Sequence, residues 1–132
     1  MWSYKLFRIG ALVLALTGVA HFFGHIGSKG AKPVNGAEFQ MFELLYGLKI
    51  NMMGTMRTQG EIMDGMSLGF SVFMLTLAAI GFTSPVQRKT AIVFAASLAV
   101  MVGISLTYWF IMPTLFLGAA MACYAGSAYL EK

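Results

Sequence analysis

The chain has 132 residues, 58% of them hydrophobic and only 11% charged, with a mean hydropathy of +0.76. Soluble domains carry about 25% charged residues, and a chain this short cannot bury so much apolar surface in a water-facing core, so the bilayer is the better solvent. Its formal charge of +4 is the balance of nine Lys and Arg against five Asp and Glu, and the basic residues are scattered along the chain, which excludes a nucleic-acid footprint and points to membrane orientation instead.

A membrane-crossing helix needs about 20 apolar residues. Residues 6–26 supply the first span. It comes after Lys5 and Arg8 as the apolar region of a signal peptide would, yet no small-x-small cleavage site comes after it, and it reads as a retained helix. Residues 28–36 are a loop by composition. Residues 37–52 read as an amphipathic helix lying in the membrane interface. Gln40, Glu43, Gly47 and Asn51 form its polar stripe, and Phe39, Phe42, Leu45, Leu48 and Met52 lie away from that stripe. Such a helix serves as an anchor, or as a lid with Glu43 turned inward.

Residues 62–82, 91–110 and 114–130 supply three further spans. Pro113 separates the last two, which would otherwise form one helix of about 60 Å, twice the hydrocarbon thickness. The predicted fold is therefore all-α. It is a single integral membrane domain over residues 1–132, a four-transmembrane-helix bundle with the interfacial helix between helices one and two.

Trp2, Tyr4, Tyr108, Trp109 and Tyr129 mark the span edges. Lys5, Arg8, Arg88, Lys89 and Lys132 fall on one side in short segments, whereas Lys29, Lys32, Lys49 and Arg57 are spread over a longer loop. This bias predicts that both termini are cytoplasmic. Ala95, Ala99 and Gly103, with Gly118, Ala122 and Gly126, predict close packing of the last two spans. The lone thiol, Cys123, excludes an internal disulfide and a C-x-x-C redox pair.

One cluster speaks of chemistry. His21 and His25 share a face near the end of span one, and Arg57, Glu61 and Asp64 share a face at the start of span two. An antiparallel chain brings those ends together, toward the outer leaflet. Ionisable groups at that depth are costly and mark functional sites. A purely structural account, with Glu61 paired to Arg57 at i,i+4, covers His25 and Arg57 but not the deeper His21 and Asp64. The expected contact is His21 with Glu61 or Asp64.

Three functions fit. In the first, His21, Glu61 and Asp64 perform acid–base chemistry on a lipophilic ligand that His25, Arg57 and Glu43 help to bind. In the second, His21, His25, Glu61 and Asp64 hold Zn or Fe, although nothing requires a cofactor. In the third, the chain is a non-catalytic partner subunit. Two histidines on one helix cannot ligate both faces of a haem. Met52, Met53, Met56, Met63 and Met66 suit Cu(I), but flexible apolar filling is the commoner use of Met. The expected partner is a membrane lipid or a lipophilic small molecule, not a nucleic acid, and the architecture allows a homo-oligomer or a larger membrane complex.

The segments Arg-Ile-Gly-Ala-Leu, Thr-Gly-Val-Ala-His-Phe-Phe-Gly-His and Arg-Thr-x-x-Glu-Ile-Met-Asp-Gly-Met-Ser-Leu-Gly-Phe-Ser carry a resemblance over the first two spans. They resemble those of a group of small, functionally uncharacterised bacterial four-helix membrane proteins. That resemblance implies the four-span architecture and a shared polar set at His21, His25, Arg57 and Glu61. It implies no substrate.

Overall fold

A computed structural model describes residues 1–29, 31–108 and 111–131. In chain order they form α1 (Trp2–Lys29), α2 (Gly36–Gly47), β1 (Lys49–Met52), β2 (Thr55–Thr58), α3 (Gln59–Thr83), α4 (Arg88–Tyr108) and α5 (Ile111–Leu130). Four of these helices, α1, α3, α4 and α5, are long and apolar enough to cross a membrane. Each predicted span lies inside one of them, as far as the described residues reach. The end of the predicted third span, with Trp109, and the C-terminal Lys132 lie outside the described residues, as does Gly30 of the predicted loop. Pro113 stands in the first turn of α5, where its missing N–H forfeits no intrahelical bond.

The helix predicted over 37–52 stops at Gly47, and a hairpin takes up the remainder of that stretch. α2 starts sharply because Asn35 accepts the Glu38 N–H at 2.9 Å, while the Glu38 carboxylate accepts the Val34 N–H at 2.8 Å. β1 and β2 then pair antiparallel, with Ile50 opposite Arg57 and Asn51 opposite Met56. Met53 and Gly54 form the two-residue turn, both with positive φ (51° and 91°), and Asn51 Oδ1 accepts the Gly54 N–H at 2.9 Å. Positive φ at both turn residues matches the right-handed twist of the flanking strands. Asn51 and Met52 are thus strand residues, and the polar stripe of α2 ends at Gly47.

The described chain divides into two compact units, residues 1–19 with 72–132, and residues 20–71. In the first, an aromatic knot holds the core. The Tyr124 ring stacks on Phe94 at 4.6 Å between centroids and meets Phe7 edge-on at 5.0 Å. Leu14, Met74, Leu98 and Leu117 are buried with them. Most buried side-chain hydroxyls here are paired, Ser105 with Thr114 at 2.7 Å and Ser3 with Ser127 and Glu131, whereas the Tyr124 hydroxyl has no hydrogen-bond partner among the described residues. Arg8 donates to the carbonyls of Gly81 and Phe82, which satisfies acceptors left open where α3 ends.

α4 and α5 do not meet through the predicted small-residue stripe. Ala99, Gly103 and Ala122 are exposed, and a methyl group on Gly103 or Gly118 would touch nothing within 4 Å. Their buried faces carry Ala91, Phe94, Leu98 and Ser105 on α4, and Thr114, Leu117, Ala120 and Tyr124 on α5. The four-residue period is real, but larger side chains on another face fill the contact. Close approach occurs instead at Gly81, where a Cβ would lie 2.7 Å from Tyr124 Oη and 2.8 Å from Ala11 Cβ. Gly81→Ala should therefore destabilise the protein by about 1–3 kcal/mol through overpacking, since the Ala11 methyl has no rotamer to escape into. Gly118→Ala should leave stability unchanged or raise it slightly. Thermal unfolding of both variants in detergent checks the contrast; equal midpoints would refute it.

Candidate functional site

The unit formed by residues 20–71 has a different interior. Its buried side chains are polar: His25, Thr58 and Ser71. The arrangement starts with how α3 begins. Thr58 Oγ1 accepts the Glu61 N–H at 3.1 Å, and the Glu61 carboxylate accepts the Thr58 N–H at 2.9 Å. This Thr-x-x-Glu capping box fixes Gln59 as the first helical residue. Glu61 is thereby held at the helix mouth and exposed. The Tyr46 ring of α2 lies over Gly60, where any Cβ would overlap it. From there the Tyr46 hydroxyl reaches Asp64 Oδ1 at 3.5 Å.

Asp64 is the centre of the cluster. Lys29 Nζ lies 3.2 Å from its Oδ2, and His25 Nε2 lies 3.8 Å from its Oδ1. Both ion pairs found among the described residues use this carboxylate. His25 is buried, and its Nε2 has no hydrogen-bond partner. One turn deeper, His21 Nε2 shares a hydrogen bond of 2.9 Å with Ser67 Oγ, and the imidazole meets Phe70 edge-on at 4.8 Å. The stripe His21, His25, Lys29 on α1 thus runs antiparallel to Ser67 and Asp64 on α3.

The expected pairing of His21 with Glu61 or Asp64 is corrected by this register. α1 continues to Lys29 and α3 starts at Gln59, so both helices are longer than the apolar runs suggest, and the meeting point moves by a turn. His25 takes the place opposite Asp64 that was expected for His21. Arg57 lies on β2 rather than on the helix, so it makes no i,i+4 pair with Glu61. Glu43 is exposed on α2 and lines a separate hollow with Gln40, Leu44, Gly47 and Leu48. The four residues read as a metal set do not converge: among the described residues, no three of His, Cys, Asp and Glu gather to hold an ion. Met53 and Met56 are exposed at the hairpin.

A groove of about 470 Å³ runs past the cluster, lined by Lys29, Arg57, Glu61, Ile62, Asp64, Gly65 and Leu68. Its lining combines four charged side chains, Lys29, Arg57, Glu61 and Asp64, with the apolar Ile62 and Leu68. Lys29, Ser67 and Tyr46 belong to the cluster without having been expected there. Lys29 stands four residues beyond His25, continuing the stripe that begins at His21, but composition assigns it to a loop. Ser67 and Tyr46 carry no signal, since a hydroxyl partner is chosen by register alone.

No family model, curated protein or solved structure matches the chain.

The capping box yields a test. Thr58→Ala should cost about 1 kcal/mol and loosen the first turn of α3, because the Glu61 N–H loses its acceptor. Glu61→Gln should be nearly neutral, since a Gln carbonyl can make the same reciprocal bond. Amide hydrogen exchange over residues 59–62, with thermal unfolding alongside, reads both effects. Equal protection in the two variants would contradict the cap.

Proposed function

We propose that the protein is a membrane-embedded binder of an amphiphilic ligand, whose polar head sits among Lys29, Arg57, Glu61 and Asp64 and whose apolar chain runs past Gly65 and Leu68. One observation carries this reading: a single groove is lined both by charged side chains, Lys29, Arg57, Glu61 and Asp64, and by the apolar Ile62 and Leu68, and it lies beside helices long and apolar enough to cross a membrane. A water-soluble ligand gains nothing from Ile62 and Leu68, and a plain hydrocarbon leaves the charged side chains unmatched.

The proposal includes the architecture read from the sequence. The four long helices form a bundle in a bacterial inner membrane, and α2 lies in the interface. None of the α2 residues is buried, and Phe39, Met41, Phe42 and Leu44 stand exposed along it, which suits a headgroup–acyl boundary. With both termini cytoplasmic, the groove opens toward the outer leaflet.

Acid–base chemistry on the bound ligand is a second reading, favoured by the His25–Asp64 pair. A buried imidazole nitrogen with no hydrogen-bond partner, 3.8 Å from a carboxylate oxygen beside the groove, is placed to take and return a proton.

Gly65 offers a clean test of the groove. A Cβ there meets nothing within 4 Å and Gly65 lines the groove, so the side chain of Gly65→Trp leaves the backbone without a clash and takes up groove volume. Native mass spectrometry of the purified protein in mild detergent should show bound lipid on the wild type and at least a several-fold smaller bound fraction on Gly65→Trp. Equal occupancy of the two would refute the groove as the site. Orientation has its own check. A C-terminal reporter active only in the cytoplasm should be on, and one active only outside should be off; the reverse pattern would overturn the assignment.

A further inference from the structure

The charges that line the groove are not equally available. Lys29 and Asp64 are committed to each other at 3.2 Å. Glu61 spends Oε2 on the Thr58 N–H, and its Oε1 has no hydrogen-bond partner among the described residues. The Arg57 side chain, exposed on β2, makes no ion pair or hydrogen bond among the described residues. Arg57 and Glu61 line the same groove, yet they do not pair within 4 Å. Of the four charges that line the groove, Arg57 and Glu61 are the two outside any ion pair among the described residues, separate and facing the same space.

We propose, on the amphiphile reading above, that the groove selects a head carrying both a phosphate and a primary ammonium, with the phosphate on Arg57 and the ammonium on Glu61. A guanidinium presents a planar fork of donors that matches phosphate oxygens. A head with phosphate alone satisfies Arg57 but brings negative charge beside Glu61 and Asp64. A head with ammonium alone has the opposite fault at Arg57 and Lys29. A zwitterion answers both free groups and leaves the groove neutral. The ammonium must also be a hydrogen-bond donor. Glu61 Oε1 can accept an N–H bond, a quaternary ammonium has none to give, and no aromatic side chain among the described residues lines the groove to hold a quaternary group by its face.

The test uses the full chain in nonionic detergent, titrated in native mass spectrometry with phosphatidylethanolamine, phosphatidylcholine, phosphatidylglycerol and diacylglycerol. Phosphatidylethanolamine should bind about fivefold tighter than the other two phospholipids, the range of a partly solvated ion pair. Glu61→Gln, which keeps the helix cap, should erase that preference while leaving phosphatidylglycerol binding intact. Arg57→Ala should bring all the phospholipids down to the level of diacylglycerol. Soluble phosphoethanolamine separates two sources of the same head: displacement of lipid at millimolar concentration supports a free zwitterion, and failure to displace supports the lipid. Equal binding of the lipids at a site that Gly65→Trp still closes would overturn the head assignment and leave the amphiphile reading standing. Lipid binding that Gly65→Trp leaves untouched would overturn both.

Discussion

A partly buried carboxylate draws donors to itself, and in the unit of residues 20–71 the donors that meet Asp64 organise its surroundings. Lys29 and His25 reach it from α1, and Tyr46 reaches it from α2. Three helices thus converge on one side chain. The geometry is not saturated: Lys29 sits at ion-pair distance, His25 stops at 3.8 Å, and the Tyr46 hydroxyl at 3.5 Å is at the limit of a hydrogen bond. A carboxylate held by one close and two loose partners keeps acceptor capacity, whereas a saturated one would be purely structural. The exposed Lys29 keeps the pair screened by solvent, so its value lies in placing α1 against α3 rather than in stabilising them strongly.

The two units solve the same solvent problem by opposite means. Residues 1–19 with 72–132 bury Phe7, Leu14, Met74, Phe94, Leu98, Leu117 and Tyr124, and their outward faces carry exposed Leu, Ile, Val and Phe. In lipid, burial of such groups gains little from hydrophobicity, so shape and close approach carry the packing, as at Gly10 and Gly81 against Tyr124. Residues 20–71 bury polar groups and join them by hydrogen bonds and ion pairs. Polar interiors in lipid are directional. They fix register, because a hydroxyl or carboxylate shifted by one turn loses its partner, whereas an apolar face shifted by one turn meets another apolar face.

That difference explains what was legible in the sequence. Apolar length gave the four long helices, because 20 apolar residues have few alternatives in so hydrophobic a chain. Their ends were less visible, since caps and charged residues such as Thr58 and Lys29 extend a helix past its apolar run. The meeting of His25 and Asp64 with the mouth of α3 could be anticipated from chain reversal. Which histidine faces which acid could not, because it depends on helix ends that are themselves set by capping. The hairpin was missed for a related reason. Ile50, Met52 and Met56 read equally well as an apolar helix face, and only the Met53-Gly54 turn, locked by the Asn51 side chain, decides for strands. Helix packing by small residues failed at Gly103 and Gly118 because a small-residue period permits close approach without demanding it, and the bulky Phe94 and Tyr124 had the stronger claim on the contact.

Capping also shapes the chemistry of the groove. Glu61 reads as a catalytic acid by type and position, yet one of its oxygens is taken by the Thr58 N–H. A carboxylate that terminates a helix is fixed in place, and fixed charge costs no reorganisation when a ligand arrives. The same turn that commits Glu61 sends Arg57 onto the strand, out of i,i+4 reach, and so prevents the salt bridge that a continuous helix would have formed. Two residues that would neutralise each other on a helix are kept apart by a strand-to-helix junction. The junction is itself compelled by the tight hairpin on one side and by Tyr46 over Gly60 on the other. Separation of Arg57 from Glu61 is therefore a consequence of local backbone structure, and it is what leaves both charges open to the groove.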